Sequence, residues 1–371
     1  MQDPSVSFIE SQPLSETRLS ESDIQRWREK GFALVHDLLP RPLLAELKQD
    51  AQNHYPVPGS KASKRFTDFS SGQSFVFPSR SIAFNAVTLH PALLQAAADL
   101  LAVPVMGLRL SQSDLWPKYG SPNPKTGLEI DALKEYDNRN QRMHCDYPNH
   151  SLVHPPEWNR PEAVEMIVYL NNYEDCEGAT AVVPRSGYED PAYPWPIVQS
   201  PGVGALEYVN DRIKAEAYMA SQDPQGAAFR AQHLYPREVV ARYQFGSVLL
   251  YRHDTWHRGR PVKSDTLRLV QNLTFCKAGR EWLTPAHSGW SWSMYEPDKL
   301  MEKLIAEATV EQRTVLGFPA PGHDYWTPQT LAAVEARYAS CGIDMAPYHG
   351  HRTTPRKQGH IGIQCNFEAS R

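Results

Sequence analysis

A chain of 371 residues with 41% hydrophobic and 22% charged residues holds enough apolar side chain for a sizeable core, and 21 Gly with 31 Pro are too few for a collagen-like or disordered protein. Lys plus Arg number 38 against 42 Asp plus Glu, a formal net charge of −4, and no basic run forms the stripe that a phosphate backbone attracts, so nucleic acid is not an expected partner. No apolar block resembles a signal peptide or a membrane span, and the five cysteines (Cys145, Cys176, Cys276, Cys341, Cys365) show no C-x-x-C spacing, which leaves a cytoplasmic protein with reduced thiols as the expectation.

Residues 1–20 mix polar types without an apolar pattern and read as an N-terminal tail. Ser20 to Asp23 supply cap-forming side chains for a helix carrying Ile24 and Trp27 and ending at Gly31, and Phe32 to Val35 then read as a strand. Further helices are predicted over Pro42 to Asn53, where Leu43, Leu44 and Leu47 recur at helical spacing, and from Pro91 to Ala102, with Pro104 as the stop. Residues 21–103 thus form a helical flank. From there the period changes to that of strands: Val105 to Leu115, Val164 to Leu170, Thr180 to Val183, Val239 to Tyr243, Ser247 to Tyr251 and Leu267 to Phe275. Short strands split by turn residues predict a mainly β core with flanking helices, a sandwich or jelly roll, over about 104–280.

An insert at 188–238, rich in Pro and Gly with one helix over Leu206 to Ala220, reads as a lid over a site or, equally, as a static excursion supporting the sheet. Residues 281–348 form a helical extension, with a loop bearing Trp282, Trp290 and Trp292 before helices near Pro297 to Ala308 and Pro328 to Ser340. The whole of 21–348 is expected to be one catalytic domain, with 349–371 as a mobile tail.

Among the histidines, His144-Cys145-Asp146 is the only H-x-D in the chain, a tripeptide that chance alone supplies about once at this composition. On a strand, residues i and i+2 share a face, so the imidazole and carboxylate would converge while Cys145 points away. That arrangement suits two metal ligands; an ion-paired His near a turn is the plain alternative. Downstream, Gly246 to Tyr251 leads into His257, and Leu267 to Leu273 returns as a second strand. It carries Arg268, Val270, Asn272 and Thr274 on one face and Leu267, Leu269, Leu273 and Phe275 on the other. An arginine there either meets a carboxylate or lies on a half-solvated sheet. Two histidines and one carboxylate from neighbouring strands would make the facial triad of non-haem Fe(II) oxygenases, which leaves metal positions open.

The full arrangement of H-x-D, a later His257, and Arg268 eleven residues beyond it resembles the phytanoyl-CoA dioxygenase family of Fe(II)/2-oxoglutarate enzymes. The resemblance extends to Gly31-Phe32-Ala33-Leu34-Val35 with Leu38-Leu39-Pro40, and to Gly178-Ala179-Thr180-Ala181-Val182-Val183-Pro184. It implies a double-stranded β-helix of the cupin-like jelly-roll type, with His144, Asp146 and His257 as iron ligands and Arg268 as the clamp on the distal carboxylate of 2-oxoglutarate. Thr180 and Gln141 are implied as further co-substrate contacts. Dioxygen would be the second co-substrate, a small organic molecule the primary substrate, and hydroxylation with release of succinate and carbon dioxide the outcome. Pro184-Arg185-Ser186-Gly187 departs from the family's P-G-S-H at the local turn without touching a ligand.

Two other readings compete with this one. His253 and His257 stand at i and i+4, as in a zinc hydrolase helix, but they follow an apolar β run and precede Gly259 and Pro261. His150 and His154 share the spacing among prolines that break any helix. A non-catalytic jelly-roll protein using its aromatics as a ligand platform is the third class, and such a protein would have no reason to keep the triad and Arg268 together.

Overall fold

The computed structural model describes residues 6–63, 75–120, 140–146, 157–187, 189–192, 211–279, 299–310, 313 and 318–349. His150, His154, the tryptophans at 282, 290 and 292, Cys365 and the segment 350–371 lie outside the described residues, as does 193–210 of the insert.

Two sheets face each other in a jelly roll flanked by helices. The larger runs β2 (Gln12–Pro13), β3 (Phe32–His36), β9 (Val248–Arg252), β6 (Ala163–Tyr169), β11 (Leu267–Lys277), β5 (Leu108–Tyr119) and β4 (Phe75–Val76); the smaller runs β1 (Ser7–Glu10), β8 (Val239–Arg242), β7 (Thr180–Val182) and β10 (His257–Gly259). Pairing is antiparallel except for β1 with β8 and β2 with β3. The stretch 7–13, read from sequence as part of a tail, instead adds a strand to each sheet, because its backbone finds open edges at Val239–Arg242 and Val35–His36.

The central strands are apolar on both faces because both are covered. In β3, Ala33 and Val35 join the cluster beneath the helices, while Phe32 and Leu34 join the cluster between the sheets; β9 divides the same way, with Val248 and Leu250 against Leu249 and Tyr251. Helices α1 (Glu21–Lys30), α2 (Arg41–His54), α3 (Ile82–Thr88) and α4 (Pro91–Leu101) supply Trp27, Leu44, Leu47, Phe84, Leu93 and Ala97 to the outer cluster. Each large side chain sealed there contributes about 1.5–3 kcal/mol of transfer free energy.

Local chemistry sets the ends of α1. Ser20 Oγ accepts the Asp23 amide at 3.2 Å while the Asp23 carboxylate accepts the Ser20 amide at 3.2 Å, a reciprocal cap. Gly31 then closes the helix at φ +92°, where a Cβ would lie 2.7 Å from Thr255 Oγ1. The Thr255 hydroxyl donates to Gly31 O at 2.9 Å, so the helical flank is tied to the turn after β9.

The strand predicted from Val105 begins at Leu108 instead. Gly107 N reaches Pro104 O at 2.7 Å, closing a 3₁₀ turn over Val105–Gly107 and leaving Met106 89% exposed. Within the insert, α5 (Arg212–Gln222) and α6 (Pro224–Phe229) are described; the C-terminal extension holds α7 (Leu300–Glu307) and α8 (Pro328–Tyr338) around its own cluster of Ile305, Phe318, Val334, Tyr338 and Tyr348. Among the described residues no helix is long and apolar enough to cross a membrane.

Candidate metal centre and co-substrate pocket

H-x-D lies on an irregular segment beside β10 and not on a long strand. Gln141 N bonds Gly259 O at 2.9 Å, His144 and His257 exchange both backbone bonds at 2.9 and 2.8 Å, and Asp146 N bonds His253 O at 3.1 Å. The exchanged pair sets His144 directly opposite His257, their rings 4.3 Å apart. Alternation still operates: Met143 and Cys145 pack away from the site with Val183, Phe229, Leu234 and Trp256, while His144 and Asp146 face inward. The C-terminal end of the insert, through Phe229 and Leu234, thus packs behind the H-x-D segment. Burial pushes the Cys145 thiol well up, which keeps it a neutral packing group.

Asp146 Oδ2 stands 3.2 Å from His257 Nε2 and Asp146 Oδ1 3.9 Å from His144 Nε2, and one ligand atom from each residue lies within 4.8 Å of the other two. His144 Nδ1 lies 2.9 Å from Arg142 O and His257 Nδ1 3.0 Å from Thr255 O. A carbonyl only accepts, so each Nδ1 carries the hydrogen and each Nε2 offers its lone pair to the centre. The Tyr251 hydroxyl donates to Asp146 Oδ2 at 3.1 Å and orients the carboxylate. Burial, with the neighbouring His257, pulls His144 down to about 3. Burial lowers His257 as well, but the facing Asp146 carboxylate outweighs it and holds His257 above its ordinary value; a metal at the centre would take the Nε2 lone pair in place of that proton. Two imidazole nitrogens and one carboxylate form a donor set that fits Fe(II).

Arg268 lies on β11 opposite Lys118 of β5 and is buried. Its Nη1 donates to Gly178 O at 2.6 Å, and its Nε is sealed from water without an acceptor among the described residues, so the side chain retains a donor for an anion. Gly178 sits at φ +65°, and a Cβ there would stand 2.6 Å from Val262 Cγ2 and 3.2 Å from Arg268 Cδ. Gly178→Ala is therefore expected to cost about 1–2 kcal/mol of backbone strain and to push Arg268 aside, which a thermal melt should show as lower stability.

Thr180 Oγ1 accepts the Tyr169 hydroxyl at 3.0 Å, and Tyr169 stacks on Tyr243 at 3.9 Å. Gly178, whose carbonyl accepts Arg268 Nη1, stands two residues before Thr180, the first residue of β7. Gln141 Oε1 accepts the Gly259 amide at 2.9 Å, leaving the side-chain NH₂ to offer. A Cβ on Gly259 would stand 2.7 Å from both Gln141 Oε1 and Lys118 Nζ, so these two side chains meet over that glycine. Lys118 was not legible as a site residue in sequence, because only the register of β5 against β11 sets it beside Arg268.

His253 does not join the triad; it is buried in the turn after β9, and its carbonyl holds Asp146 N. With no helix across 253–257, the hydrolase spacing has no structural basis. The next residue anchors the turn: Asp254 accepts Arg252 Nε and Nη2 at 3.0 and 3.1 Å and lies 2.9 Å from Arg185 Nη2, with both guanidinium groups over the Trp158 ring. Burial alone would raise the Asp254 carboxyl, but the two arginine charges hold it well below the usual carboxylate range. A depressed carboxyl stabilises the fold above its unfolded value, about 3.9, and that contribution falls away as pH drops toward the folded value. Asp254→Asn is expected to lose about 3–5 kcal/mol at neutral pH and to flatten the acid side of the stability profile, which denaturant melts from pH 7 to 3 would show.

The family described as Phytanoyl-CoA dioxygenase (PhyH) matches residues 27–270. No curated protein matches the chain. Solved structures that resemble it include EvdO2 from Micromonospora carbonacea var. aurantiaca complexed with 2-oxoglutarate, at 14% identity and TM-score 0.47, covering 73% of this chain and 96% of that one. HygX from Streptomyces hygroscopicus with iron bound is 14% identical at TM-score 0.45, covering 71% and 90%. The epimerase SnoN, in complex with Fe3+, alpha ketoglutarate and nogalamycin RO, is 17% identical at TM-score 0.43, covering 70% and 83%.

Proposed function

The chain belongs to the phytanoyl-CoA dioxygenase (PhyH) family, and on that premise we propose that His144, Asp146 and His257 hold its iron, that Arg268 holds the far carboxylate of 2-oxoglutarate, and that the reaction hydroxylates a small organic molecule. The chain is an Fe(II)/2-oxoglutarate-dependent enzyme. The observation that carries the residue assignment is the convergence of the three ligand atoms with both Nδ1 atoms turned to carbonyls. Bound Fe(II), with dioxygen, supplies the oxidising chemistry in which 2-oxoglutarate becomes succinate and carbon dioxide as the substrate is oxidised.

The protein's own contribution is orientation. Arg142 and Thr255 fix the imidazole tautomers through their carbonyls, and Tyr251 fixes the carboxylate. Arg268 offers a planar fork matched to a carboxylate; the Thr180 hydroxyl and the Gln141 amide, whose oxygens already accept Tyr169 and Gly259, are assigned as further donors to the co-substrate.

Fe(II)-supplemented protein should form succinate from 2-oxoglutarate slowly alone and faster with its substrate. Asp146 as an anionic ligand leaves no place for a halide, so in chloride-containing buffer mass spectrometry should show the gain of one oxygen. A chlorinated major product would contradict the role of Asp146, and a product without added oxygen would contradict hydroxylation.

A further inference from the structure

The inner face of β5 and β11 changes character along its length. Lys118 stands opposite Arg268, Trp116 opposite Val270, Asp114 opposite Asn272 and Gln112 opposite Thr274. Thr274 also pairs with Glu165 of β6 and donates its hydroxyl to it; Glu165 in turn lies opposite Tyr251, whose hydroxyl reaches Asp146. The far face of the same strands is sealed, with Ser113, Leu115, Gln271 and Leu273 buried under the helices. Gln112, Asp114, Trp116 and Asn272 face the space between the sheets yet remain partly exposed.

Elsewhere that space is filled by apolar side chains such as Ile167, Leu249 and Val182. Polar groups persist in such an interior when they meet water or a ligand. Asp114 accepts Gln112 Nε2 at 2.6 Å and the Trp116 indole, but a carboxylate accepts at about four sites, and no Lys, Arg or His among the described residues pairs with it. Burial raises this carboxyl, so an added donor or cation would stabilise its charged form. Asp114 also lies four residues from Lys118 along the strand, about 13 Å from the co-substrate end of the pocket.

Resting on the iron and co-substrate reading above, we propose that Asp114, with Gln112 and Asn272, is the substrate-facing wall, and that the primary substrate presents hydroxyl or ammonium donors to it, as a polyol or amino sugar does, in place of a hydrocarbon chain.

The test uses the full chain with Fe(II) and 2-oxoglutarate under anaerobic conditions, following the visible charge-transfer band as glucose, glucosamine or octanoate is added. Glucose or glucosamine is expected to perturb the band at lower concentration than octanoate. Asp114→Asn should weaken that response at least about tenfold while 2-oxoglutarate affinity stays within a few-fold. A larger loss for glucosamine than for glucose identifies an ammonium as the group read, and equal losses identify a hydroxyl. Octanoate acting at lower concentration than either sugar, no response to either sugar, or sugar responses unchanged in Asp114→Asn would each overturn the proposal. Absence of the band before any probe is added would remove the iron reading itself, and this proposal with it.

Discussion

His257→Ala is expected to abolish substrate-coupled turnover and to weaken Fe(II) binding by more than about a hundredfold, beyond the 10- to 100-fold typical of changes outside the ligand sphere. His144→Ala and Asp146→Ala should behave alike, since the three side chains form the group of possible metal ligands found among the described residues. The control is His253→Ala. That imidazole is fully buried but stands outside the triad, and it is the residue's carbonyl that bonds Asp146 N. The substitution removes packing but keeps the carbonyl, so the variant should melt earlier while binding Fe(II) nearly as well as the parent. Equilibrium Fe(II) titration separates the cases, and metal loss in His253→Ala with retention in His257→Ala would reverse the third ligand.

Arg268→Ala should raise the 2-oxoglutarate concentration needed for half-maximal turnover by about 10²- to 10³-fold, the consequence of leaving one partner of a buried charge pair without the other, while Fe(II) affinity moves only a few-fold. Arg268→Lys should recover little, because an ammonium lacks the planar fork and would not keep the Nη1 bond to Gly178 O while presenting a second donor to the carboxylate. Steady-state kinetics at varied co-substrate gives the answer. An unchanged requirement in Arg268→Ala would remove the anchor from this position.

Much of this site was legible because it follows local rules. Leu267 to Phe275 alternates between two covered faces, and the structure divides Leu269, Leu273 and Phe275 from Val270 in that way. His144 and Asp146 share a side as the i, i+2 spacing requires, although the His144–His257 bridge and the Asp146 N–His253 O bond, and not a regular strand, hold them there. What was hidden depends on partners distant in sequence. Residues 7–13 carry no apolar period, and only the open edges of β8 and β3 make them strands. Lys118 is one more polar residue in a mixed run until the β5–β11 register places it opposite Arg268. Gln271 is a buried amide in an apolar strand because Thr88 and Ser113, far away in sequence, bond to it. The short helix over Ile82–Thr88 has no room for a helical period and is set by its Ser81 cap.

The most direct measurement is an anaerobic titration of the Fe(II)-loaded protein with 2-oxoglutarate, followed by the visible charge-transfer absorption that a chelated 2-oxo acid gives with ferrous iron. The expected band saturates at one iron and one co-substrate per chain, is lost in Asp146→Ala, and shifts to far higher 2-oxoglutarate in Arg268→Ala. No band in the parent protein, or a band of full strength in Asp146→Ala, would contradict that expectation.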